Sequence, residues 1–218
     1  MNKHQVLFAQ LLVSGNLVFS HVMAQPNGGD EPIDAESMRP LLNSQRIEKI
    51  FGNYNIEVLK NGEQLRVSDL HSITEGVRTT RTLAIVTYDE SIDQELTNEH
   101  RHIVRGRSIG EVFLENTWTV EKENRYFGEI SAAIDFAPTY KRMGNIGETK
   151  LAVHIYELFV RKGDLRVHYA DIAEVHHPEY LDLDDLHAIY AEFFEENLEL
   201  DAEIEKTLDL LKTEMKSI

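Results

Sequence analysis

The chain has 218 residues, with 22 Lys and Arg against 38 Asp and Glu, a formal net charge of −16, and no cysteine. This charge disfavours binding to nucleic-acid phosphates or anionic lipid headgroups, and the lack of cysteine excludes disulfides, thiol catalysis and cysteine metal sites. Because 42% of the residues are hydrophobic, the chain can bury a core of its own and does not have the composition of a disordered protein.

The chain begins with a pattern typical of a secretory signal. Lys3 precedes an apolar run from Val6 to Phe19, and Val22-Met23-Ala24 resembles a cleavage site with a small residue at its end. The run is too short and too polar for a transmembrane helix. We therefore predict a signal peptide over residues 1–24, cleavage near Ala24, a periplasmic or secreted product, and no membrane span in the mature protein.

Residues 25–38 are predicted to be a flexible linker, because they are rich in Gly, Pro and acidic residues and offer few apolar side chains to a core. Residues 39–218 are predicted to form a single α+β domain.

The first part of this domain predicts one helix followed by three antiparallel strands. Asn43 or Ser44 can cap the helix, and Gly52 can end it. Asn61-Gly62 between two β-prone runs predicts a hairpin, and Glu75-Gly76 predicts the next turn. The expected bounds are 44–51 for the helix and 55–60, 64–71 and 78–88 for the strands.

Two short helices and three further strands are predicted to follow. Ser91 and Ser108 each begin a capping-box pattern, and Gly163-Asp164 predicts a second hairpin turn. The expected bounds are 92–105 and 108–116 for the helices, 117–128, 149–160 and 165–176 for the strands, and 137–147 for a loop. This order, βββ-αα-βββ, predicts a single antiparallel sheet of about six strands with helices packed on one face.

Residues 182–216 predict a long acidic helix. Its apolar residues fit a heptad repeat with Asn197 at a seam position, as in a coiled coil, or the broader face of an amphipathic helix lying on the sheet. Such a helix would be roughly 50 Å long, whereas a ten-residue strand covers only about 33 Å. Either the helix breaks near residues 197–201, or its far half protrudes and forms a homodimer through Leu183–Ile218.

Histidines and carboxylates on the second hairpin are the main candidates for chemistry. If its strands pair symmetrically about the predicted turn, His168 and His176 share one face with Glu157 and Glu174. His168 beside the two glutamates is then the main acid–base or ion-pair candidate.

His154, His176 and His177 are the candidates for a zinc site. In the same symmetric pairing, His154 and His177 lie on the face opposite to His176, so no three histidines converge. We therefore expect neither a metal nor another cofactor.

Ser108 is a candidate nucleophile, because Gly106-Arg107-Ser108-Ile109-Gly110 matches the G-x-S-x-G pattern of a nucleophile elbow. An elbow follows a strand, however, whereas residues 92–105 predict a helix. The cap of the next helix therefore explains Ser108 better than catalysis does.

Five residues are candidates for ligand binding. Arg101, Arg105 and Arg107 form a basic group that could receive a carboxylate or phosphate, although cations near the end of a helix also complement its dipole. Trp118 and Tyr156 could line a pocket, although aromatic residues on strands more often belong to the core.

None of these patterns identifies a reaction. We therefore expect a non-catalytic exported binding or assembly protein of the bacterial periplasm, whose partner is a basic protein or a small ligand. The alternative is a small periplasmic hydrolase-like enzyme that uses histidine and carboxylate or metal chemistry on the second hairpin.

Overall fold

The computed structural model of the chain describes residues 34–131, 136–147, 149–191 and 200–218. The predicted signal peptide and most of the predicted linker lie outside these ranges. The described strands are β1 (Asn55–Asn61), β2 (Leu65–Thr74), β3 (Val77–Tyr88), β4 (Thr119–Ser131), β5 (Lys150–Lys162) and β6 (Leu165–His176). The described helices are α1 (Ala35–Met38), α2 (Asn43–Phe51), α3 (Thr97–Ile103), α4 (Ile109–Glu115), α5 (Ala137–Arg142), α6 (Leu183–Ile189) and α7 (Ala202–Ser217).

The six strands form one antiparallel sheet in the order β1-β2-β3-β6-β5-β4. The predicted α+β class with a single antiparallel six-stranded sheet is therefore confirmed. The order βββ-αα-βββ is wrong at one point, because α5 lies between β4 and β5 where a loop over 137–147 is predicted. Pro138 occupies the first turn of α5, where a missing N–H breaks no helical hydrogen bond.

Local turn chemistry explains the first three strands. Glu75 and Gly76 have φ angles of 53° and 79°, which suit the two-residue turn that matches the twist of a hairpin. In the preceding turn, the Gly62 N–H donates to the Leu65 carbonyl at 2.7 Å. Both predicted hairpin connections are confirmed.

Helices cover both faces of the sheet, so the predicted packing on one face is wrong. Leu83 and Ile85 of β3 join a core with residues of α5 and α7. Ala84 and Val86 point the opposite way, into cores with α2 and α6 and with α3 and α4. We call these two sides the α7 face and the α2 face. Alternation along the strands therefore supplies apolar residues to both sides.

An unbroken helix over 182–216 is also wrong, whereas the alternative of a break near residues 197–201 agrees with the start of α7 at Ala202. α6 ends at Ile189 and packs on the α2 face, whereas α7 packs on the α7 face. The Asp201 side chain starts α7 by accepting hydrogen bonds from the N–H groups of Glu203 and Ile204. Asn197, the predicted polar seam residue, lies outside the described residues.

The apolar side of α7 packs against the sheet of the same chain. Ile204, Leu208, Leu211 and Met215 are all buried against the sheet, so this part of the C-terminal region does not protrude. The predicted homodimer stays untested, but the exposed seam on which it depended is not present in α7.

The structure also differs from the prediction in the residues at which the first three helices begin. Met38, at the end of the predicted linker, is in α1 and is buried. Asn43 and Ser44 lie within α2 and do not cap it. Asp93, not Ser91, caps the turn that leads into α3. None of the described helices is both long and apolar enough to span a membrane.

Candidate functional site

A bulge in β6 changes which side chains meet on the second hairpin. Near the turn, Phe159 pairs with His168, as symmetric pairing predicts, but the next pair is Leu158 with Ala170. Tyr169 is therefore an extra residue, and its ring is buried against Phe113 of α4 at 4.8 Å between centroids. From this point on, the register is shifted by one residue.

The shifted register places His154 opposite Glu174 on the α2 face, with His176 two residues further along the same strand. The prediction that His154 lies on the other face from His176 is thus wrong. Glu157 pairs with Asp171 on the α7 face and forms an ion pair with Arg125, so it is not near Glu174. We call His154, Glu174 and His176 the imidazole–carboxylate cluster.

One carboxylate oxygen is the centre of this cluster. Glu174 Oε2 lies 4.0 Å from each of His154 Nδ1, His176 Nε2 and Lys122 Nζ. All three nitrogen atoms are buried and have no hydrogen-bond partner among the described residues. Glu174 Oε1, in contrast, accepts a hydrogen bond from Asn43 Nδ2 at 3.0 Å.

Burial fixes the protonation states of the cluster. Desolvation lowers the pKa of His154 well below its usual value, with Lys122 adding to the effect, and it lowers the pKa of His176 to about 4. Burial is the largest single influence on the pKa of Glu174 and raises it, but Lys122, His176, Asn43 and Arg46 together outweigh burial, and the net shift is downward. At neutral pH the cluster therefore consists of two neutral imidazoles and an ionised carboxylate.

A cavity of about 80 Å³ lies on the α2 face, between the sheet and the start of α2 and α4. Glu174, Lys122 and Asn43 line it from the side of the cluster, and Ser44, Arg66, Ser68 and Ser108 supply further polar groups. The rest of the wall is mainly apolar, with contributions from Leu42, Tyr54, Ile56, Leu70, Val86, Ile109, Val120, Tyr156, Leu158 and Ile172. Mainly apolar cavities with few polar groups are typical of small-molecule sites.

Arg66 on β2 is a buried cation without a countercharge among the described residues. Its side chain is 1% exposed; Nε donates to Ser68 Oγ at 2.8 Å, and Nη1 donates to the carbonyls of Ile103 and Arg107 at 2.8 and 2.9 Å. Nη2 makes no hydrogen bond of normal geometry, although Arg66 interacts with the Tyr88 hydroxyl, and no carboxylate of the described residues forms an ion pair with this guanidinium. Buried charges in proteins are almost always paired, so Arg66 is the least ordinary feature of the cavity.

His168 is in an exposed ion pair and not in an acid–base group with Glu157 and Glu174, so that prediction is wrong. Its ring nitrogens lie 3.3 Å from Asp171 Oδ1 and 3.1 Å from Asp89 Oδ2. The hydrogen bond to Asp171, with help from Asp89, raises the pKa of His168 to about 9.

This ion pair gives a pH-dependent prediction. Because the folded-state pKa of His168 lies above its unfolded value, its stabilising effect should be complete below about pH 6.5 and lost as the pH rises through about 9. Urea unfolding of the wild type and of His168→Gln should differ by up to about 1 kcal/mol at low pH and converge at high pH. A gap that widened above pH about 9 would contradict this assignment.

His177 has a structural role. Its Nε2 donates to the Met143 carbonyl at 2.9 Å, and its Nδ1 accepts the Glu179 N–H at 3.0 Å. With both nitrogens used, His177 has no lone pair left for a metal. The three described residues that could share a metal ion are those of the imidazole–carboxylate cluster.

Ser108 lines the cavity but does not lie on a nucleophile elbow. The residues before it form α3 rather than a strand, and Gly106, with a φ of 103°, makes the turn between α3 and α4. Its side chain interacts with the Tyr54 hydroxyl, and none of the histidines described above contacts it.

The predicted ligand-binding residues divide between core, surface and cavity. Tyr156 is in the cavity wall. Trp118 is in the core beneath α4, where its Nε1 donates to Glu99 Oε1 at 3.2 Å. Arg101 and Arg105 are exposed at the end of α3, and Arg107 forms an ion pair with Glu115 at 2.6 Å; none of the three lines the cavity.

No known protein family matches this chain, and no curated protein is similar to it in sequence.

Proposed function

We propose that this protein is a non-catalytic exported binding protein that holds a small organic anion in the cavity of the α2 face. The observation that carries the proposal is Arg66, a buried guanidinium in the cavity wall that forms no ion pair with any of the described residues and whose Nη2 makes no hydrogen bond of normal geometry. A bound carboxylate would supply the missing countercharge and accept a charge-assisted hydrogen bond.

The charge of the cavity supports an anion. Arg66 and Lys122 line it as formal cations, against Glu174 as the one carboxylate in its wall. This local excess of positive charge occurs in a chain whose formal net charge is −16. A monoanion would neutralise the wall, whereas a second negative charge would meet Glu174 without an equivalent partner.

The size and polarity of the cavity define the rest of the ligand. A volume of about 80 Å³ is room for several water molecules or a small organic group, but not for a nucleotide or a folded partner. Because most of the wall is apolar, the ligand should carry an apolar body, whose burial contributes roughly 25 cal/mol per Å².

We also propose that the protein is exported and that it catalyses no reaction. The N-terminal pattern of residues 1–24 supports a periplasmic or secreted site of action. Ser108, the one G-x-S-x-G serine, interacts with Tyr54 and not with an imidazole, which favours binding over a hydrolase-like reaction.

Calorimetric titration with matched ligands tests the proposal. Benzoate and hexanoate should bind at one site, and their neutral amides should bind at least about tenfold more weakly because they cannot neutralise Arg66. Acetate should also bind more weakly than hexanoate, since each lost methylene removes up to about 0.8 kcal/mol. Equal affinity for acids and amides, or no binding of any of them, would contradict the proposal.

A further inference from the structure

We propose that His154, Glu174 and His176 form a binding site for a divalent transition-metal ion such as Zn²⁺. The proposal does not depend on anion binding at Arg66. It rests on two imidazole nitrogens and one carboxylate oxygen that lie within 4.8 Å of one another, at positions where neither nitrogen has a hydrogen-bond partner among the described residues. Two histidines with a glutamate are an established ligand set for zinc.

The second nitrogen of each ring is held in place, as is usual for metal-binding histidines. Asn124 Oδ1 lies 2.8 Å from His154 Nε2, which leaves Nδ1 directed at Glu174. Thr82 Oγ1 lies 3.0 Å from His176 Nδ1, which leaves Nε2 directed at the same oxygen.

The surroundings permit the small contraction that coordination requires. Ligands of a tetrahedral zinc ion with bonds of about 2.0–2.1 Å lie about 3.3 Å apart, compared with 4.0 Å between Glu174 Oε2 and each imidazole nitrogen. Side-chain shifts of less than about 1 Å would close this difference. Glu174 also lines the cavity, which provides an entry path and room for a fourth ligand.

Lys122 is the group that opposes a metal. Its Nζ lies 4.0 Å from Glu174 Oε2 and 4.0 Å above the ring of Tyr156, so it provides the nearby positive charge for this buried carboxylate. A metal ion would compete with Lys122 for the same oxygen and would be repelled by its charge. The structure therefore predicts that removing this ammonium group strengthens metal binding.

Calorimetric titration of Zn²⁺ into the full chain, purified without an affinity tag and treated with chelator, tests the site. We expect binding of about one equivalent, together with a Co²⁺ absorption spectrum typical of four or five ligands. Glu174→Gln should weaken binding at least about tenfold, and Lys122→Met should strengthen it at least about tenfold. His168→Gln is the matched control, because it removes a partly buried histidine that already pairs with two aspartates, and it should change the affinity little.

The Lys122→Met variant keeps the test decisive, since a variant that is merely damaged cannot gain affinity. Loss of Zn²⁺ binding in His168→Gln, or equal affinities in the wild type, Glu174→Gln and Lys122→Met, would place the metal at the surface and overturn the proposal. Failure of the wild type and of Lys122→Met to bind Zn²⁺ would also overturn it. Binding of benzoate to the metal-free wild type reports separately on Arg66.

Discussion

Arg66→Met is expected to weaken binding of benzoate about hundredfold. None of the described residues forms an ion pair with this guanidinium, so the carboxylate of bound benzoate would be its countercharge. Truncating one partner of a buried, hydrogen-bonded charge pair costs about 2–5 kcal/mol. Stability should change far less than binding. The substitution removes three hydrogen bonds, to Ser68, Ile103 and Arg107, but it also removes an unpaired buried charge.

Arg46→Met is the matched control for this experiment. Arg46 is likewise buried and held by oxygen atoms, those of the Met38 and Arg39 carbonyls and the Tyr190 hydroxyl, but it does not line the cavity. Its replacement should leave the benzoate affinity within about threefold. If Arg66→Met folded and bound benzoate as tightly as the wild type, the anion would not be at Arg66.

Leu211→Ala is expected to lower the free energy of unfolding by about 2–5 kcal/mol, the range for buried leucines whose loss leaves a cavity. Leu211 is 0% exposed, beneath α7 and against the sheet. The loss should be independent of protein concentration, because the contacts are made within one chain. Urea unfolding followed by circular dichroism at two protein concentrations measures both quantities.

Leu114→Ala provides the comparison. Leu114 also lies in a helix, but it is 46% exposed, and its truncation should change the free energy of unfolding by about 0.5 kcal/mol or less. If Leu211→Ala instead lowered the free energy of unfolding more at the lower protein concentration, α7 would contact a second copy of the chain, as the heptad pattern predicts.

The parts of the fold that local chemistry decides could be predicted from the sequence. Asn61-Gly62 and Glu75-Gly76 set two hairpins, and Gly52, with a φ of 77°, ends α2. The course of the C-terminal region could not be predicted, because the same apolar repeat suits a coiled coil and a helix that lies on a sheet. Only the packing of Ile204 and Leu211 against the sheet distinguishes them.

The imidazole–carboxylate cluster depends on a bulge at Tyr169 that no pattern in the sequence indicates. Without the bulge at Tyr169, His154 and His176 would lie on opposite faces of the sheet, because a shift of one residue turns every side chain over. The bulge lets both Tyr169 and Ala170 join the core beneath α3 and α4. That core brings together residues distant in sequence, so it is visible only in the fold.

No pattern in the sequence indicates Arg66, for a related reason. In the sequence it is one cation on a strand, and cations on strands are usually exposed. Its burial follows from the carbonyls of Ile103, at the end of α3, and of Arg107, before α4, which accept from Nη1 and hold the guanidinium against the sheet. An arginine flanked by apolar strand residues is too weak a signal to single out.

The central claim is that Arg66 binds a carboxylate inside the cavity of the α2 face. A crystal grown with a bromobenzoate tests it most directly, because anomalous scattering locates the bromine and electron density locates the carboxylate. We predict bromine density within the cavity and a carboxylate oxygen about 2.7–2.9 Å from Arg66 Nη2. Density only at the protein surface, or a cavity that stays without ligand at saturating bromobenzoate, would contradict the account.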